Sequence, residues 1–155
     1  MFPVLKGALA YCNNDFFVVI YNPKKGVFNM KKIVSTNAAP QAIGPYSQGI
    51  EVNGFVFTSG QLPIDPATGA FVPGGIKEQT KQSLTNVKAI LEAAGTTMDN
   101  TLKLTVFLSD MNNFAQMNEV YGEFFTEGNY PSRSAVEVAR LPKDGLVEIE
   151  AIAIK

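Results

Sequence analysis

Histidine is absent from the chain, and Cys12 is its only cysteine. The first absence excludes the most. Without an imidazole, neither a Ser-His-Asp nor a Cys-His nucleophile can be assembled, and no His-ligated zinc site can form. Acid–base work falls to Asp, Glu, Lys, Tyr or bound water. A single cysteine cannot make an intrachain disulfide, so a reducing cytoplasm is the expected compartment. Long apolar runs are missing too, and a stretch such as Phe16–Tyr21 is far too short to span a bilayer. Charge is sparse and balanced. Lys and Arg number 13 against 14 Asp and Glu, for a net charge of -1, so no global positive field draws the protein to nucleic acid or anionic lipid.

What is present suits one packed domain. The chain has 155 residues, 46% of them hydrophobic, enough for a sizeable core and too many for disorder. The first 29 residues read differently from the rest. Lys6 followed by Gly7-Ala8-Leu9-Ala10 hints at a signal peptide, but Asn13, Asn14 and Asp15 interrupt the apolar stretch too early. Phe16–Tyr21 could be an isolated strand, with Asn22-Pro23-Lys24-Lys25-Gly26 as a turn. The favoured reading is that Met30 is the native start, because Lys25-Gly26-Val27 can be encoded with the purine-rich AAGGAG of a bacterial ribosome-binding site. Residues 1–29 are then an N-terminal extension outside the native domain, which spans 30–155.

From Lys32 onward the punctuation is regular. Ile33-Val34 opens a short strand, and 37–41 is a loop around Pro40. Tyr46–Val52 alternates, Asn53-Gly54 gives the two-residue hairpin signal, and Phe55–Ser59 returns as a strand. Gly60–Gly75 is a loop with a small hairpin tip at Pro66–Gly69. Ile76, Thr80, Leu84, Val87, Leu91 and Ala94 form one stripe of a helix over 75–95 that Gly95 terminates. Leu102, Leu104, Val106 and Leu108 alternate with Thr101, Lys103, Thr105 and Phe107 as a strand. Asn113 is expected to cap a second helix with the stripe Phe114, Met117, Tyr121, Phe124 and Phe125. Strands over Ser134–Ala139 and Leu146–Ile154 flank the turn Pro142-Lys143-Asp144-Gly145.

The order ββαβαββ predicts an α+β fold: a single two-layer domain, one mixed sheet with both helices on one face, since strand–helix–strand units cross over right-handed. Along Leu146–Ile154 both faces carry apolar groups, with Val147 and Ile149 on one and Ile152 and Ile154 on the other. A sheet face left bare and apolar predicts oligomerisation through it.

Several polar groups sit among apolar strand residues. Arg133, at the entry of Ala135-Val136-Glu137-Val138, offers a planar fork that matches a carboxylate; it could equally pair with a surface glutamate. Glu148 and Glu150 share one side of the last strand. A carboxylate facing a partly dry pocket can order or activate water, whereas one at an exposed edge only points to solvent. Tyr46 follows Gly44-Pro45 and could stack on a planar ligand or simply pack. Ser59-Gly60 ends a strand, where glycine permits either close approach of a ligand or a β-bulge. Asn118 lies on the second helix, off its apolar stripe.

Four segments together resemble the Rid family, the YjgF- or RidA-type reactive intermediate deaminases. They are Ala42-Ile43-Gly44-Pro45-Tyr46-Ser47-Gln48-Gly49, Thr58-Ser59-Gly60-Gln61-Leu62-Pro63, Gln82-Ser83-Leu84-Thr85-Asn86-Val87-Lys88-Ala89-Ile90, and the run from Arg133 through Leu141-Pro142-Lys143. The match extends from about Met30 to Lys155. The resemblance implies a chorismate-mutase-like fold, a homotrimer with clefts between subunits, and hydrolysis of 2-aminoacrylate and other 2-imino acids to 2-keto acids and ammonia without metal or other cofactor. It also implies that Arg133 binds the carboxylate, Glu148 orients water and Tyr46 lines the cleft. Ser59, Gly60, Asn118 and Ala135 would contact substrate. Many archetypal members carry cysteine where this chain has Ala135, which excludes a thiol nucleophile there and leaves a water-based mechanism. The implied partners are small 2-imino and 2-keto acids, with neither nucleic acid nor membrane involved. Two other readings remain. One is a trimeric sensor that binds keto or imino acids in the same clefts without turnover. The other, RNA processing, is disfavoured by the acidic balance, the missing histidine and the lack of a basic stripe.

Overall fold

Asn53 and Gly54 both take positive φ, 53° and 78°, the paired left-handed conformation that a two-residue hairpin requires. They join strand β4 (Gly49–Val52) to β5 (Phe55–Thr58), with Val52 opposite Phe55. This geometry comes from a computed structural model, which describes residues 8–12, 15–19 and 31–155. The chain divides into two compact units, Met1–Met30 and Lys31–Lys155.

In the first unit, β1 (Ala8–Cys12) pairs antiparallel with β2 (Asp15–Val19), Cys12 opposite Asp15. The strand expected at Phe16–Tyr21 begins one residue earlier, at Asp15, and it is not isolated; positions 20 and 21 lie outside the described residues. A strand's backbone donors and acceptors need partners, and the run Ala8–Cys12 supplies them. The turn expected at 22–26 lies outside the described residues.

The second unit is built on a six-stranded sheet in the order β3-β4-β5-β8-β6-β7. β3 (Lys32–Val34) forms one edge and β7 (Ser132–Glu137) the other, with β6 (Thr101–Leu108) and β8 (Val147–Ile154) inside. Only β6 and β7 pair in parallel; the other neighbours are antiparallel. Helix α1 (Ile76–Ala94) connects β5 to β6, and α2 (Phe114–Gly122) connects β6 to β7. Both bury side chains in one core: Leu84, Val87, Ile90 and Leu91 of α1 and Met117 and Tyr121 of α2 share it with Leu104, Val106, Leu108, Val147 and Ile149. The α+β reading holds, with two helices on one face of a mixed sheet. Every member of the α1 stripe is buried, and Gly95 ends the helix at φ 85°.

Several boundaries shift, each for a local reason. β4 begins at Gly49, so Tyr46 precedes the strand, in a tight turn where its N–H donates to the Gly44 carbonyl at 2.8 Å. A register shift between Thr101 and Lys103 turns Thr101 inward and leaves Leu102 exposed, although alternation placed Leu102 with the core. Asn113 does not cap α2 through its side chain. A short 3-10 turn, Met111–Asn113, precedes the helix, and Asp110 accepts the Asn112 N–H at its start. The strand expected at Ser134–Ala139 runs from Ser132 to Glu137 instead.

The second face of the sheet has no covering layer within this unit. Phe55, Phe57 and Ile154 stand there, each about 40% exposed, with Phe55 opposite Ile154 and Phe57 opposite Ile152 across β5 and β8. A row of this kind matches the apolar face expected from the alternation of the last strand.

Candidate active site

Strand pairing decides which way each candidate points, because residues directly opposite one another share a face. Arg133 pairs with Leu104, and Leu104 with Ala151, both buried under the helices. Glu148 pairs with Phe107, which pairs with Val136, on the open face. Arg133 and Glu148 therefore project from opposite faces of one sheet. β8 and β7 are separated by β6, so the two residues also lie about 10 Å apart across the strands. One copy of the chain does not bring them together.

Around Glu148 the structure assembles a first cluster. Phe57 pairs with Ile152, whereas Gln61 pairs with Ile149, so four steps along β5 and its exit match three along β8. The extra residue is a β-bulge at 58–60, and it places Gly60 directly against Glu148. A Cβ on Gly60 would come within 2.8 Å of the Glu148 Cδ. Of the two readings of this glycine the structure shows the bulge, and the group that comes close to Gly60 is the Glu148 carboxylate. Burial pushes the Glu148 pKa up, and the negative charge of Glu150 two residues on adds to the rise. Ser59 ties the bulge to the neighbouring loop: its O–H donates to the Ser47 carbonyl at 2.6 Å, and its N–H to that of Gln48. Only the lone pairs of Ser59 are left for a ligand.

Tyr46, half exposed, lines a cleft of about 370 Å³ together with Gly60, Gln61, Ile43, Leu62 and Lys143. The cleft walls are held by buried polar side chains. Gln48 accepts the Thr36 N–H and donates to the carbonyls of Thr36, Ala39 and Pro40. Asn86 on α1 donates to the carbonyls of Leu62 and Ile64. Neither role was assigned from the sequence: Asn86 lies off the stripe read there, on the same side of the helix as the equally buried Gln79 and Ser83.

Arg133 and Asn118 form a second cluster. Nη1 of Arg133 donates to Oδ1 of Asn118 at 2.8 Å, and the guanidinium lies over the Tyr121 ring. Among the described residues no carboxylate lies within ion-pair distance of Arg133. Ala135, opposite Val106, sits on the same face as Arg133 and packs against the core rather than against Glu148. The structure thus joins Tyr46, Ser59, Gly60 and Glu148 in one group, and Arg133, Asn118 and Ala135 in another. Among the described residues no group of His, Cys, Asp or Glu could hold a metal ion, and no helix is long and apolar enough to cross a membrane.

Residues 36–155 match the family model described as endoribonuclease L-PSP. A RutC family protein of Pyrococcus horikoshii is 60% identical over 81% of this chain and 99% of its own length. A 2-iminobutanoate/2-iminopropanoate deaminase of Salmonella typhimurium is 55% identical over 81% of this chain and 99% of its own. Among solved structures, Escherichia coli TdcF with bound serine superimposes with a TM-score of 0.75 at 51% identity, covering 80% of this chain and 98% of that one. With its fold and these relatives in agreement, the chain belongs to the endoribonuclease L-PSP family, in its Rid-type group.

Proposed function

We propose that the protein is a deaminase that hydrolyses 2-imino acids, including the tautomer of 2-aminoacrylate, to 2-keto acids and ammonia. One observation carries this reading. Arg133 is a guanidinium fixed by neutral partners, with no carboxylate within ion-pair distance among the described residues, while Glu148 is a partly dry carboxylate on the other face of the sheet. An arginine held in this way is ready for an anion from outside. The carboxylate, raised above its ordinary range, is suited to take a proton from water and give it back.

Arg133 stands on the edge strand β7 on the helix side and Glu148 on the open face, so we infer a homotrimer in which the open face of one subunit receives the β7 edge of the next, each cleft taking Arg133 from one subunit and Glu148 from another. The exposed row Phe55, Phe57 and Ile154 supports such packing. Arg133 binds the substrate carboxylate and sets the C=N carbon beside the water near Glu148. Glu148 accepts a proton as the water oxygen bonds to that carbon and returns it to the imine nitrogen, giving the tetrahedral carbinolamine. The carbinolamine then collapses: its hydroxyl proton passes by way of Glu148 to the nitrogen, the C–N bond breaks, and ammonia leaves as the ketone forms. Tyr46 and the Gly60 bulge form the wall beside Glu148. The substrate already hydrolyses in water, so orientation and modest proton transfer suffice.

The test is release of 2-keto acid when the imine is generated in place by an amino-acid oxidase. Release at the uncatalysed rate, with keto acid still bound, would replace this reading by the ligand sensor.

A further inference from the structure

Arg133 is gripped from α2. Phe114, Asn118 and Tyr121 follow at spacings of four and three residues, which stacks them on one stripe of the helix. The guanidinium carbon lies 4.4 Å from the centroid of the Tyr121 ring and 5.5 Å from that of Phe114. In the same place Asn118 takes one in-plane N–H at 2.8 Å. Tyr121 is itself fixed, buried with its ring 4.9 Å from that of Phe125. Its hydroxyl has no hydrogen-bond partner among the described residues, and burial pushes its pKa up. What Tyr121 offers Arg133 is therefore its ring face and not its oxygen.

We propose that Tyr121 and Phe114 are positioning residues for Arg133: their rings hold the guanidinium in one plane and turn its free N–H edge to the carboxylate of the substrate. This rests on the deaminase reading above. The physical reason is that a guanidinium donates only in its own plane, so fixing the plane fixes the direction of both N–H bonds of the fork. The rings also displace water from the faces of the cation, which strengthens the cation–π attraction and sharpens the edge bonds. Arg133 also lines a hollow of about 300 Å³ with Asn118, Tyr121, Gly122, Tyr130 and Pro131.

The experiment compares the full chain with Tyr121→Phe, Tyr121→Leu and Phe114→Leu on two substrates, a 2-imino acid and the imine of the corresponding amino amide, which lacks the charge. Melting temperature and oligomeric state are followed in parallel. Tyr121→Phe keeps the ring and should stay within about twofold of wild type. Tyr121→Leu should raise KM for the carboxylated imine about tenfold, and Phe114→Leu about threefold, with kcat and the amide reaction little changed. Tyr121 is buried, so Tyr121→Leu could lose the fold; Phe114 is at the surface, and its variant then decides alone. An unchanged preference for carboxylate in Phe114→Leu overturns the proposal, as does a Tyr121→Phe variant as impaired as Tyr121→Leu. A wild-type protein with no preference for carboxylate over amide would overturn the deaminase reading and this one with it. A wild-type preference that the leucine variants keep removes only the clamp.

Discussion

The carboxylate of Glu148 occupies the space where a side chain on Gly60 would be: a Cβ there would meet Cδ at 2.8 Å and Oε1 closer still. The obstructing atoms belong to a flexible side chain and not to backbone. Gly60→Ala should therefore leave the fold intact and push the carboxylate out of place. We expect a loss of roughly tenfold or more in kcat/KM, about 1.4 kcal/mol or above, at a nearly unchanged melting temperature. A fully active Gly60→Ala enzyme would show that the position of Glu148 does not matter.

Glu148→Gln keeps the shape of the side chain but cannot accept a proton. It should bind keto acid normally and slow imine hydrolysis strongly. The sign of the pH effect follows from the raised pKa. The carboxylate is the active form, so activity should fall as pH drops through a value above the ordinary carboxylate range. Because Glu150 contributes to the rise, Glu150→Gln should move this acid limb to lower pH. A limb that Glu150→Gln leaves where it was, or raises, would separate the limb from Glu148.

Arg133→Lys preserves charge without the planar fork and should lose roughly tenfold in kcat/KM, about 1.4 kcal/mol. Arg133→Ala should lose about a hundredfold, in keeping with a charge-assisted bond of up to about 3 kcal/mol. Imines without a carboxylate should be affected far less. Equal losses on both kinds of substrate would point to general damage and not to a missing anion contact.

The opposed directions of Arg133 and Glu148 make a prediction about assembly. Sedimentation equilibrium should give about three times the chain mass. Arg133→Ala and Glu148→Gln, each nearly inactive, should complement when unfolded, mixed and refolded together. If each site draws the two residues from different subunits, random 1:1 mixing restores about a quarter of the sites. No recovery in a well-mixed trimer would mean that both residues serve the same site from one chain.

The match to the family model begins at residue 36, and the chain divides at Met30. A chain that starts at Met30 should assemble and turn over like the full one. Loss of either property would make residues 1–29 part of the working protein.

Local chemistry made much of this protein legible in advance. The missing histidine removed whole classes of mechanism. Asn53-Gly54 announced its hairpin, and the stripe from Ile76 to Ala94 announced its helix, because turn preference and helical period are properties of neighbouring residues. Arg133, Glu148, Tyr46 and Gly60 could be named, but not how they are arranged. Whether Leu102 or Thr101 faces the core depends on a register shift against β8. Whether Gly60 touches Glu148 depends on one extra residue in the strand beside it. That Arg133 and Glu148 leave the sheet on opposite sides follows from pairing β7 to β6 and β6 to β8. Those pairings join residues far apart along the chain, and a slip of one residue reverses every side chain. The residue types fixed which chemistry was possible, and the register across three strands decided that one copy of the chain does not unite Arg133 with Glu148.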